Sequence, residues 1–142
     1  MTTKRFAGTA AVAFIVSEIL AVAVHGFILA ADYAPFYGTL LRPMSKEGGW
    51  RMLLLPLAHL CFVSALVWVY ARVALEGSTV VRGMKLGLLG WVIAQAPFWL
   101  LWYAEQPWPD SLVVKQLPLE LASSLIIGIT IAAVAGPRNQ SA

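Results

Sequence analysis

The chain has 142 residues, of which 60% are hydrophobic and only 12% are charged. Its mean hydropathy of +0.77 lies far from that of soluble domains, so we expect a membrane protein. The formal charge of +3 does not indicate nucleic-acid binding, because the basic residues are dispersed among the ends of apolar segments. A single cysteine, Cys61, excludes a disulfide within the chain.

Four apolar segments account for most of the length, and each has the roughly 20 residues that a helix needs to cross about 30 Å of hydrocarbon. The sequence therefore predicts an all-α, up-down bundle of four transmembrane helices, forming one membrane domain over residues 1–142. The lipid bilayer is then an expected partner, and nucleic acid is not. The predicted helices are residues 6–31, 52–75, 84–104 and 112–135.

An even number of helices places both termini on the same side of the membrane. That side carries six Lys and Arg residues against four on the other, which favours cytoplasmic termini. We expect the first helix to be retained rather than cleaved as a signal peptide, because Glu18 interrupts its apolar core. The six are Lys4, Arg5, Arg72, Arg82, Lys85 and Arg138; the four are Arg42, Lys46, Arg51 and Lys115. Aromatic residues of a predicted boundary belt mark the opposite face: Tyr33, Phe36, Tyr37, Trp50, Trp102, Tyr103 and Trp108.

Ionisable residues interrupt the predicted helices. Glu18 and His25 lie seven residues apart in the first helix, so they share one stripe of its surface. A charged group at the membrane centre costs about 2.5 to 3.5 kcal/mol on insertion scales, so it normally faces a partner or a water-filled cavity. Counted along straight helices, His59 and Glu120 lie at the depth of His25. Glu18 lies deeper, near the midplane.

We therefore predict one inward-facing polar pocket that opens toward the aromatic side of the bundle. Gln95 lies near the depth of Glu18, Trp99 forms an aromatic wall at the shallower level, and Gln116 shares a helix face with Glu120. The predicted pocket residues are Glu18, His25, His59, Gln95, Trp99, Gln116 and Glu120.

Three functions fit such a pocket. Titration of Glu18 and His25 is typical of transport of a proton or small ligand, and Glu18 resembles the membrane-embedded Glu in the first helix of small multidrug transporters. Alternatively, His25 and His59 ligate haem b axially, as in an electron-transfer subunit. In the third, His25, His59 and Glu120 hold a zinc or iron ion. Our expectation is that no cofactor is bound, with haem b and a metal ion as alternatives.

A structural role competes with all three, because polar side chains that bond one another also fix the register and association of helices. The protein would then belong to a homo-oligomer or to a larger membrane complex. An enzyme is not favoured, because no nucleophile and base stand at an interpretable spacing. The sequence thus predicts a small multi-pass membrane protein that binds or translocates a small ligand or proton.

Helix-packing signals concentrate in the second half of the chain. Gly83 and Gly87 form a small-xxx-small pair, which predicts close packing of the third helix within the bundle. The short link between the second and third helices predicts that they are neighbours. Pro97 is expected to free a backbone carbonyl near Ile93, with Gln95 as a local partner.

Several of these residues also carry a family resemblance. They are Gly83, Gly87, Gly90-Trp91, Ala96-Pro97, the turn from Glu105 to Pro107, and Gly128. At these positions the chain is similar to an uncharacterised bacterial family of small four-helix membrane proteins, a domain of unknown function. The resemblance implies the four-span layout and implies no activity or site. We expect an integral protein of a bacterial inner membrane with cytoplasmic termini.

Overall fold

The computed structural model describes residues 1–41 and 46–136, within which the chain forms helices and no β-strand. Four helical spans are long and apolar enough to cross a membrane. The predicted all-α, four-helix membrane architecture is therefore confirmed. The spans are Thr3–Ile28, Gly49–Arg72, Thr79–Glu105 and Asp110–Ala135. Arg42 and Arg138, which entered the topology prediction, lie outside the described residues.

Two of the spans change helix type along their length. The first begins as α1 (Thr3–Ala21) and continues as a π-helical segment (Val22–Ile28). Helical geometry breaks at Leu29, with φ −100° and ψ 2°, before the short α2 (Ala30–Tyr33). The remaining elements, in chain order, are a 3-10 turn (Ala34–Phe36), a 3-10 helix (Lys46–Leu53), α3 (Leu54–Arg72), α4 (Thr79–Gly90), a second π-helical segment (Trp91–Gln95), α5 (Ala96–Glu105) and α6 (Asp110–Ala135).

Capping explains why two helices start before the predicted residues. The Thr2 side chain accepts a hydrogen bond from the Arg5 backbone N–H, so α1 begins three residues earlier than its apolar pattern indicates. The Ser78 hydroxyl accepts from the Val81 backbone N–H at 3.3 Å and begins α4 five residues earlier.

The last helix, α6, lies at the centre of the bundle. It packs along α4 over most of that helix and also contacts α1, and α1 in turn packs on α3. The second and third spans touch, as their short link predicts. The contact between α3 and α4 is, however, much smaller than the contact between α6 and α4. The third span therefore joins the bundle mainly through α6.

Glycines allow α4 of the third span to pack closely on α6. A Cβ at Gly87 would lie 2.7 Å from the Leu125 Cα atom, and a Cβ at Gly128 would lie 2.6 Å from the Gly87 backbone nitrogen. The two helix backbones touch at this crossing, and the Ser124 hydroxyl donates to the Gly87 carbonyl oxygen at 2.8 Å. Close packing of the Gly83 and Gly87 pair inside the bundle is confirmed.

Two apolar clusters with a polar layer between them form the interior. One cluster includes Ala13, Val67 and Ile131, and the other includes Leu29 and Leu112. The intervening part of α6 carries three buried polar side chains and the half-buried Glu120. The buried ones are Gln116, Ser123 and Ser124. The candidate site is built in this layer.

Candidate functional site

Four side chains form a ring of three hydrogen bonds and one ion-pair contact that joins the first span and α2 to the fourth span, which we call the polar ring. Its members are His25, Tyr33, Gln116 and Glu120. Tyr33 donates its hydroxyl to Gln116 Oε1 at 2.5 Å and also contacts His25 Nδ1 at 3.2 Å. Gln116 Nε2 donates to Glu120 Oε1 at 2.6 Å, and that oxygen lies 3.2 Å from His25 Nε2. Every member of the ring therefore contacts two others.

The three hydrogen bonds of the ring use three hydrogen atoms. The Tyr33 hydroxyl, the Gln116 amide and a neutral His25 imidazole supply one each. The remaining contact, between His25 Nε2 and Glu120 Oε1 at 3.2 Å, then joins two acceptor atoms unless a further proton is carried by His25 or by Glu120. Turning the Gln116 amide over leaves the count unchanged, because the amide still offers one N–H and one oxygen. The contact between His25 and Glu120 is therefore attractive when one of the two groups carries that proton.

The surroundings of the ring differ from one side to the other. Gln116 is fully buried, whereas 37% of the His25 side chain and 13% of the Glu120 side chain remain exposed. His25 lies three residues before the end of the first span, and Glu120 lies ten residues inside the fourth. Since a helix rises about 1.5 Å per residue, the ring connects the rim of the bundle with its interior.

Tyr33 lies beyond the first span and is almost fully buried. Burial first, and the negative charge of Glu120 second, raise the pKa of the Tyr33 phenol above its ordinary value of 10.0. The phenol therefore stays a neutral donor near pH 7. Its ring packs edge-on against Trp108, at 6.5 Å between centroids, and Trp108 stacks on Trp102. This aromatic wall closes one side of the ring.

An ion pair holds α2 beside the ring. Lys115 Nζ lies 2.8 Å from Asp32 Oδ1 and 3.0 Å from Oδ2. Asp32 precedes Tyr33, and Lys115 precedes Gln116, so the pair lies directly next to the short Tyr33 to Gln116 hydrogen bond. Because the Lys115 side chain is largely exposed, the pair contributes about 0.2 to 1 kcal/mol and mainly fixes position.

A second carboxylate and imidazole pair joins α1 to α3. His59 Nδ1 lies 2.6 Å from Glu18 Oε1, and both side chains keep about one third of their surface exposed. Among the described residues, no hydrogen bond connects this pair to the polar ring. The prediction that His59 lies level with His25 is therefore not what the structure shows, because His59 meets Glu18 instead.

Gln95 and Trp99 lie apart from both groups. Gln95 belongs to the second π-helical segment, and its Oε1 atom is buried without a hydrogen-bond partner among the described residues. Trp99 packs edge-on against Trp102 at 5.9 Å, so two tryptophans separate it from Tyr33. The structure thus brings His25, Gln116 and Glu120 together, pairs Glu18 with His59, and places Gln95 and Trp99 elsewhere.

Tyr33 is the ring member that sequence reasoning missed, having assigned it to the aromatic belt. Eight residues separate it from His25, which is about 12 Å along a straight helix. The π-helical segment and the break at Leu29 bring the two side chains together. A Tyr placed just beyond a membrane helix that carries a His is the available signal, and it is weak.

The three proposed metal ligands do not assemble. Within the described part of the chain, no group of three His, Cys, Asp or Glu side chains is arranged to hold a metal ion. His59 is engaged by Glu18, while His25 and Glu120 contact each other. The two histidines likewise have separate carboxylate partners.

Comparisons of the chain with protein-family models, with curated proteins and with solved structures find no match. The resemblance to the bacterial four-helix family stays a prediction from the sequence. Function is therefore inferred from the polar ring and from the Glu18 and His59 pair.

Proposed function

We propose that the protein binds a proton at the polar ring and couples its release to passage of a proton or small solute through the four-helix bundle. The observation that carries this proposal is the 3.2 Å approach of His25 Nε2 to Glu120 Oε1. With His25 Nδ1–H donating to Tyr33, these two atoms attract each other when a further proton lies on one of them. Ionisable groups inside membrane proteins are typical of proton relays and substrate pathways.

Proton release would change the contact between two spans. It leaves a lone pair on His25 Nε2 facing the Glu120 carboxylate oxygen, which is 3.2 Å away and no longer an attractive partner. His25 belongs to the π-helical segment of the first span, and such segments are frequent at functional sites. Deprotonation thus favours separation of the first and fourth spans at this end, and protonation favours the closed ring.

The orientation of the protein is part of the proposal. Both termini lie in the cytoplasm of a bacterial cell, with the protein in the inner membrane, which the Lys and Arg distribution supports. The polar ring then lies in the outer half of the membrane. Protons reach it from outside through the partly exposed His25 side chain.

Proton flux in vesicles tests the proposal. Purified protein is reconstituted into vesicles that contain a pH-sensitive dye, and a potassium gradient with valinomycin sets the driving force. We expect the wild-type protein to acidify or alkalinise the lumen according to the sign of the potential. Glu120→Gln should lower the flux to that of protein-free vesicles, because a neutral amide neither carries the proton nor attracts it to His25.

The matched control is Thr130→Val, an isosteric loss of a hydroxyl on the same helix. Within the part of the chain that the structure describes, Thr130 bonds only the Ile126 carbonyl of its own helix, and it lies outside the ring. The flux of Thr130→Val should therefore match that of the wild type. Infrared difference spectra of 13C-Glu-labelled protein across the titration provide an independent readout of proton binding. Equal flux and equal carboxyl signals in wild type and Glu120→Gln would contradict the proposal.

A second candidate is a structural subunit of a membrane complex. The outward-facing Glu18 and His59 pair favours it, because a polar pair that borders lipid needs a partner. Proton flux separates the two functions. A purely structural protein should give the flux of protein-free vesicles, whereas a carrier should show flux that is lost in Glu120→Gln while the variant stays folded.

A further inference from the structure

The Glu18 and His59 pair lies at the edge of the bundle rather than inside it. About one third of each side chain is exposed, although both residues lie near the middle of their spans. The surface beside Glu18 is a shallow apolar groove lined by Ile19, Val22, Ala23 and Phe27. In a bilayer this position borders hydrocarbon, where an ionisable pair with unused hydrogen-bonding atoms is costly.

Each member of the Glu18 and His59 pair has one hydrogen-bonding atom without a partner among the described residues. Glu18 Oε1 is occupied by His59 Nδ1, which leaves Glu18 Oε2 and His59 Nε2 without a partner among the described residues. When His59 is an imidazolium, Nε2 is a donor and Oε2 is an acceptor. One copy of the chain therefore presents both a hydrogen-bond donor and an acceptor, and the pair carries no net charge.

We propose that this face binds a second copy of the chain through a twofold axis beside Glu18 and His59. In such a dimer the His59 Nε2–H group of each copy donates to Glu18 Oε2 of the other. The result is a closed set of four side chains, two from each copy, with every oxygen and nitrogen paired. The site is incomplete in one copy alone, which is why the occupant is a second copy rather than lipid.

The apolar residues around the pair suit this contact. Ile15 and Val22 lie within about one turn of Glu18 and are each 57% exposed, and Leu55, one turn before His59, is 58% exposed. Ala23 in the groove lets another helix approach closely. The proposal is independent of proton transport, because the polar ring and this pair share no residue.

Mass measurement of the protein in mild detergent and in lipid nanodiscs provides the first test. We expect two copies per particle for the wild type. Glu18→Gln should raise the dissociation constant of the dimer by about tenfold, because symmetry removes two interhelical hydrogen bonds at once. Glu120→Gln, which removes the other membrane carboxylate, should leave the dimer intact.

Cross-linking in membranes gives a second test that keeps the native pair. With Cys61 replaced by Ser, Val22→Cys should form a disulfide between copies on oxidation. Leu101→Cys on the third span, with a similar exposure of 61%, should not. A wild-type particle containing one copy, cross-linking at Leu101→Cys alone, or a different membrane protein bound to the first span would overturn the proposal.

Discussion

Tyr33 decides the geometry of the polar ring although it does not exchange the titratable proton. Its hydroxyl contacts both His25 and Gln116, so it fixes which His25 nitrogen is left to face Glu120. Near pH 7 the raised pKa of the phenol keeps it neutral. Tyr33 is therefore a positioning residue, and the proposed proton site is made by His25 and Glu120.

Replacement of Tyr33 by Phe should destabilise the protein. It leaves Gln116 Oε1 buried without a donor, which costs about 1 to 3 kcal/mol. Unfolding of the purified protein in mixed detergent micelles measures this loss. Tyr37→Phe is the control, since Tyr37 is exposed and lies outside the ring, and its free energy of unfolding should match the wild type. Equal losses in the two variants would argue against the ring.

The difference in stability between the wild type and Tyr33→Phe should depend on pH in alkaline solution. Folding raises the pKa of Tyr33 above 10.0, so the neutral phenol stabilises the fold fully below that pH. This contribution is lost progressively as the pH rises above 10.0 toward the folded-state pKa. The stability advantage of the wild type over Tyr33→Phe should therefore shrink with increasing pH, as unfolding measured across this range will show. An advantage that stays constant would contradict the assignment.

Sequence reasoning selected five of the polar residues that make interhelical contacts but did not pair them. Counting residues along straight helices placed His59 beside His25, because the count ignores helix rotation and the π-helical segments. Rotation directs His59 to Glu18 and leaves His25 for Glu120. Which side chains meet is a property of the packed helices.

At the level of elements, the α4 and α6 crossing holds the third span in the bundle. Its glycines were recognisable from spacing alone, because only small residues at positions i and i+4 allow two membrane helices to touch along their backbones. Sequence reasoning overlooked Pro118 inside α6. Pro118 removes one backbone N–H from α6 two residues before Glu120.

Gly87→Ala should weaken this crossing. Its Cβ would lie 2.8 Å from the Ser124 carbonyl carbon, so the two backbones must separate. Overpacking of this kind costs about 1 to 3 kcal/mol. Thermal unfolding in detergent checks the effect, and Gly8→Ala serves as the control because nothing lies within 4 Å of the added Cβ. A loss no larger than that of Gly8→Ala would mean that the helices do not touch there.

For the whole molecule, four spans require both termini to lie on one side of the membrane. The proposed side is the cytoplasm. Fusions of green fluorescent protein and alkaline phosphatase to the C-terminus should therefore give fluorescence and no phosphatase activity in a bacterial host. The reverse result would mean that both termini lie outside the cytoplasm and that the polar ring lies in the inner half of the membrane.

The sequence by itself determined the architecture, because about 20 consecutive apolar residues can satisfy their backbone in a bilayer only as a helix. It also marked the costly polar residues, which stand out against an apolar background. Only the tertiary structure decided how Glu18, His25, His59 and Glu120 pair, because pairing depends on helix rotation and on the break at Leu29. Those two local features divide the one predicted pocket into the polar ring and a separate outward-facing pair.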